Sequence, residues 1–232
     1  MKPILFNTDM VQAIQNGKKT VTRRAIKPQP DWFDCGIDGS RNTPMKAADV
    51  LTTDWEIKQP FQIGDILYIR ETWKIMCARR FDANVDIEYK ASGKKRLIFP
   101  HGNSQSTNRD DYDSFTGKWW TNGWHPSIHM PKEVARIFLK VTDVSVERLQ
   151  DITVPNMIKE GIRAFGCETC LEVNGKCKPQ TSEDGFCGAE DQAEDLFSDL
   201  WDSTIKKTDL DCYGWDANPW VWVIEFKRCE KP

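Results

Sequence analysis

The chain has 232 residues, is 39% hydrophobic and carries 32 Lys and Arg against 35 Asp and Glu, a formal net charge of −3. That apolar content supports a packed core and excludes wholesale disorder. The acidic balance excludes a protein that coats nucleic acid along its length, since such proteins are basic overall; any contact must use a local patch or a single-base pocket.

No apolar run approaches the ~20 residues of a membrane span. The apolar part of Met1-Lys2-Pro3-Ile4-Leu5-Phe6-Asn7 is too short for a secretory signal. The expected compartment is the cytoplasm, with no membrane partner. Eight cysteines are there expected as thiols or metal ligands rather than disulfides. Ten tryptophans suit half-buried walls and pockets, because each indole carries a large apolar area and one N–H to satisfy.

In chain order, Ile4-Leu5-Phe6 predicts a first strand. Thr8 or Asp9 is suited to cap a helix carrying Met10, Val11 and Ile14, with Gly17 at its C-terminal end. Thr20-Val21-Thr22 is β-branched and extended. The stretch 27–60, punctuated by Pro28, Pro30, Pro44 and Pro60, reads as an insertion. Ile63-Gly64-Asp65 turns into one strand from Ile66 to Trp73. Ile87-Glu88-Tyr89-Lys90 predicts a shorter strand.

Residues 91–124 are polar and end in Trp119-Trp120-Thr121-Asn122-Gly123-Trp124; they read as a second loop insertion. Residues 135–146 predict a long strand or strand pair. Val154-Pro155 opens a helix with Pro at its first position, Met157, Ile158 and Ile162 on its apolar face, and Gly161 at its end. Residues 164–188 form a third, cysteine-bearing insertion. Residues 189–205 predict the strongest helix, with Leu196, Phe197, Leu200 and Trp201 on one face. Residues 219–226 predict a closing strand. Mixed strands and few helices point to an α+β domain, or a barrel flanked by helices, over a doubly wound sheet. No phosphate-cradling glycine motif is present.

Gly17-Lys18-Lys19-Thr20-Val21-Thr22-Arg23-Arg24 is the densest chemical segment. Its cations can hold a phosphate or polarise a carbonyl. A Thr hydroxyl beside a Lys can also form a nucleophile with an amine base. That chemistry needs a neutral Lys, which burial or neighbouring cations favour. A solvated basic turn is the plain alternative. Residues three apart on a straight strand face opposite ways, so Lys19 and Thr22 meet only if the chain turns after Gly17 or the Lys arm reaches round.

Glu71 beside Trp73 can accept from the donor edge of a base while the ring stacks on it; an edge-strand charge and a core Trp are the alternative. His129 can act as an acid–base group or a phosphate contact, or be a structural histidine. Cys167, Cys170, Cys177 and Cys187 lie within 21 residues of one another. Four thiolates there would make a tetrahedral structural zinc site, remote from Lys19, that folds a loop lacking its own core; reduced loop thiols are the alternative.

The Gly17–Arg24 segment resembles the Gly-x-Lys-Thr-x-Thr-x-Arg signature of ASCH domains, of the PUA-like superfamily. Gly64-Asp65-Ile66-Leu67 is similar to that family's Gly-Asp strand entry, Met157-Ile158-Lys159-Glu160-Gly161 to its helix with a central Glu, and Trp222-Val223-Ile224-Glu225-Phe226 to its closing strand. Arg70-Glu71-Thr72-Trp73 and Pro126-Ser127-Ile128-His129-Met130-Pro131 resemble segments of bacteriophage and prophage ASCH-like proteins. The resemblance covers about half of the chain. It implies a single PUA-like mixed β-barrel flanked by helices, with the three insertions added, that handles RNA or a modified nucleoside. One bacterial branch of the family is an amidohydrolase of N4-acetylcytidine. By resemblance to it, Lys19, Thr22 and Glu160 are the catalytic set, and Arg24 and Thr20 contact substrate. A non-catalytic RNA-binding module and a phage accessory protein acting through protein contacts remain the alternatives.

Overall fold

The structure, a computed structural model, describes residues 1–30, 45–46, 59–100, 109–121, 123–162 and 189–231. Hydrogen bonding sorts the described strands into two sheets accompanied by five α-helices, the α+β class expected. The contacts divide the chain into two compact units.

The first unit comprises Met1–Asn16, Asp65–Lys140 and Lys227–Pro232. Strand β1 (Lys2–Leu5) runs parallel to β4 (Ile66–Arg70), with Lys2 opposite Leu67 and Leu5 opposite Arg70. Between them in sequence, helix α1 (Thr8–Gln15) buries Val11 and Ile14. Its cap is Asn7, not Thr8 or Asp9: the Asn7 Oδ1 accepts from the Met10 N–H at 2.8 Å. Asp9 instead lies in the first turn, where a negative charge favours the helix dipole.

The strand expected from Ile66 to Trp73 is two strands. β4 ends at Arg70, and β5 (Trp73–Arg79) leaves to pair antiparallel with β6 (Asn84–Tyr89), which pairs with β7 (Lys95–Ile98). The break falls at Glu71 and Thr72. There the Glu71 N–H meets the Met130 sulfur at 3.1 Å and the carboxylate meets Arg136, so the backbone leaves the ladder.

The second insertion is more ordered than its composition predicts. It contains β7 and helix α2 (Arg109–Trp119). Only Tyr112 and Phe115 of α2 are buried, which left too faint an apolar stripe to read. This unit's core gathers Trp73, Ile75, Val85, Ile87, Tyr89, Ile98, Tyr112, Phe115 and Phe138.

The second unit comprises Gly17–Gly64 and Val141–Phe226. Strand β2 (Val21–Ala25) pairs antiparallel with β9 (Trp220–Cys229), Val21 opposite Glu225 and Ala25 opposite Val221. β9 lies beside β8 (Phe138–Arg148), which also pairs with the two-residue β3 (Met45–Lys46). Helix α3 (Val154–Lys159) opens at Thr153 with Pro155 in its first turn, and α4 (Ala189–Thr204) and α5 (Leu210–Tyr213) follow. Phe197, Trp201, Met157, Leu149, Val21, Val221 and Val223 form its core.

Among the described residues no sheet closes into the expected barrel. β1 has only β4 as a neighbour, and β2 only β9, so both strands leave an edge. No helix among these residues is long and apolar enough to cross a membrane.

Candidate active site

The second unit builds its site from the start of its chain. Gly17 takes φ +72°, a conformation glycine adopts without Cβ strain, and so redirects the chain out of α1. Two backbone bonds then clamp Thr20. Its N–H donates to the Lys159 carbonyl at 2.9 Å, and its carbonyl accepts from Phe226 N–H at 2.9 Å. With position 20 pinned to the end of α3, position 19 lies beside position 160. The chain turns at Asn16 and Gly17, and Lys19 then meets Glu160.

Glu160 caps α3, its N–H donating to the Asn156 and Met157 carbonyls at 3.0 and 3.1 Å. Gly161 follows at φ +97°, ending the helix as expected. The Lys19 amine donates to the Glu160 carbonyl at 2.9 Å and to Glu160 Oε2. A helix C-terminus carries unsatisfied carbonyls and partial negative charge, so it suits a cation.

Arg23, in β2, donates from Nη1 to Glu160 Oε1 at 3.0 Å. Its Nε and Nη2 hold Glu147 Oε1 at 2.7 and 2.6 Å. The result is a chain of two cations and two anions, Lys19–Glu160–Arg23–Glu147. Lys19, Arg23 and Glu160 are each less than 5% exposed. Charges taken so far from water persist only when paired and hydrogen-bonded.

The electrostatics favour a weakly held proton on Lys19. Burial pushes its amine below the ordinary lysine value of 10.5; Glu160 opposes this, and the Arg24 and Arg23 charges add to the lowering. Arg24, half-buried in β2, is likewise lowered, by burial first, with Glu160 opposing. Burial also raises the Glu147 carboxyl, against the pull of Arg23.

Thr22 is buried in β2 opposite Ile224 of β9. Alternation along the strand turns its side chain to the face opposite that of Arg23. Thr20 is exposed and is held through its backbone.

The first unit takes two expected contact residues, Glu71 and Trp73, into other roles and leaves the third, His129, exposed. Glu71, 1% exposed, receives Arg136 in a bidentate pair, Nε at 2.7 Å and Nη2 at 2.8 Å. Arg136 also lies 4.0 Å over the Tyr89 ring, whose hydroxyl donates to Val134 O at 2.6 Å. Glu71 is thus an ion-pair anchor rather than an open acceptor for a base.

Trp73 is fully buried. His125, Trp119 and Phe115 pack around it at centroid distances of 4.6, 5.7 and 6.3 Å, which covers the ring that was expected to stack on a base. His129 is exposed in a single 3₁₀ turn, Ser127–His129. Among the described residues the buried histidine is His125, whose Nε2 lies 2.7 Å from the Trp119 carbonyl.

Cys167, Cys170, Cys177 and Cys187 lie outside the described residues. Among those described, Cys77, Cys212 and Cys229 are free thiols, and no cluster of His, Cys, Asp or Glu could hold a metal.

Sequence reasoning missed Glu147 and Arg136, and took Arg23 only as one of the segment's cations rather than as a buried ion-pair partner. For Arg23 a signal existed: it follows the β-branched Val21 and Thr22 in an extended segment, and an arginine buried in a strand needs a carboxylate partner. Nothing in the sequence identified that partner as Glu147. No family model matches this chain, and neither does any curated protein or any solved structure.

Proposed function

We propose that the chain is an ASCH-type, PUA-like domain that handles a modified nucleoside, and that the Lys19–Glu160 pair is the centre of an amide-hydrolysing site acting on N4-acylated cytidine. One observation carries this reading. A lysine and a glutamate that the resemblance pairs across the chain are in direct contact, with the lysine amine pushed toward its neutral form.

In this reading Lys19 takes the proton of the Thr22 hydroxyl, whose oxygen attacks the acyl carbonyl. Arg24 faces the developing oxyanion. Glu160 orients the amine that returns the proton to the leaving N4 nitrogen. Water then releases the acyl group from Thr22. The test is turnover of N4-acetylcytidine by wild type and Thr22→Ala. Turnover in wild type with loss of at least ~100-fold in the variant is expected. Full activity in Thr22→Ala, or none in wild type, overturns the reading.

The opposite orientations of Thr22 and Arg23 along β2 favour a second reading, a binding module for RNA or a nucleoside. A binder keeps its affinity in Thr22→Ala and shows no turnover. The cysteine spacing at 167, 170, 177 and 187 further leads us to propose a structural zinc. Elemental analysis of protein made without a metal-affinity tag is expected to return about one equivalent; less than about a tenth would rule it out.

A further inference from the structure

We propose that Glu147 is a positioning residue for Lys19: it occupies Nε and Nη2 of Arg23, leaves only Nη1 for Glu160, and so keeps the second Glu160 oxygen for the Lys19 amine. The inference rests on the reading of Lys19 as the reacting amine.

The geometry is directional. Arg23 has five donors in a rigid fork. One edge, Nε and Nη2, is spent on Glu147 Oε1, and Nη1 reaches Glu160 Oε1. Lys19 takes Oε2 of the same carboxylate and its backbone carbonyl. Without Glu147, the fork has a free edge and one strong acceptor within reach, the Glu160 carboxylate. A bidentate Arg23–Glu160 pair is the preferred geometry for those two groups, and it draws Glu160 away from Lys19.

Glu147 comes from β8, outside every segment that carries the family resemblance. The charged groups acting on it are Arg23 from β2, Asp151 from the turn after β8, and Glu160 at the end of α3. Among the described residues, Arg23 is the one of these in direct contact with it. The path from Glu147 to Lys19 therefore runs through Arg23 and Glu160.

The experiment titrates Lys19 by NMR in protein labelled at the lysine side-chain carbon, without substrate, so it reads the relay whether or not the chain deacylates any nucleoside. In Glu147→Gln, Lys19 is expected to lose its proton earlier, by more than about half a pH unit. The same substitution in an Arg23→Gln background is expected to move Lys19 by less than about a third of that, since the connecting residue is gone. Equal shifts in both backgrounds would mean a through-space charge effect and overturn the proposal, as would no shift in the first. If Glu147→Gln does not fold, Glu147→Asp serves. Its shorter arm withdraws from Arg23, so a shift in the same direction is expected and an unmoved Lys19 overturns the relay. Once turnover is established, Glu147→Gln is expected to change kcat and its pH midpoint while leaving KM within about twofold.

Discussion

Lys19 and Glu160 are 141 residues apart in the chain, yet the amine of one is bonded to both the carboxylate and the backbone carbonyl of the other. The second bond matters. A side-chain pair alone can swing apart, whereas a carbonyl at the end of α3 is fixed by the helix.

Removing either partner unbalances the buried charges of the Lys19–Glu160–Arg23–Glu147 chain. Lys19→Met and Glu160→Gln are each expected to cost roughly 3–5 kcal/mol in urea unfolding. The double variant is expected to cost less than the two together, because both substitutions break one shared interaction. Strict additivity would show that the pair is not a unit.

The lowered Lys19 amine sets a pH profile. If Lys19 is the base, kcat/KM for N4-acetylcytidine rises with pH as the amine loses its proton, and levels off at a midpoint below 10.5. A rate independent of pH across the neutral and alkaline range would remove Lys19 from that role.

Glu147 gives a stability signature of the opposite sense. Burial raises its folded carboxyl above the ordinary 4.5. Between that value and the raised one, the native chain holds a proton that the unfolded chain does not. Its contribution is therefore complete below the unfolded value and is lost as pH rises through the folded one. Wild type is expected to gain on Glu147→Gln as pH falls toward 4.5, read from paired urea midpoints. A constant difference between the two proteins would contradict this.

The Glu71–Arg136 pair separates structure from chemistry. Glu71→Ala is expected to destabilise by about 3 kcal/mol or more and to leave nucleoside affinity unchanged. Arg136→Lys is not expected to replace the bidentate contact, nor the stacking on Tyr89. A selective loss of affinity in a stable Glu71→Ala protein would return Glu71 to the site.

What was legible in the sequence was what local chemistry encodes. Gly17 and Gly161 marked helix ends because few other residues sit easily at positive φ. Pro155 marked a helix start because its missing N–H costs nothing there. The closing strand was readable as a run of β-branched and aromatic residues. The Ile66–Trp73 run was misread as continuous, because the contact that bends it comes from Arg136, 65 residues away. Trp73 looked like a stacking surface because sequence shows an aromatic but not the His125, Phe115 and Trp119 that enclose it. In the site, Lys19 and Glu160 were reachable through the resemblance. The pairing of Arg23 with Glu147 was not, since an ion pair across 124 residues has no local pattern.

The clamp on Thr20 has a consequence for biogenesis. One of its two bonds comes from Phe226, 206 residues further along the chain. During synthesis on the ribosome, the segment bearing Lys19 emerges well before β9 and must wait for that strand before both of its anchors exist. Such long-range closure slows folding. It also makes the site a completeness check, since a chain released before β9 has Lys19, Thr22 and Glu160 but lacks both the Phe226 anchor and the strand that pairs with β2.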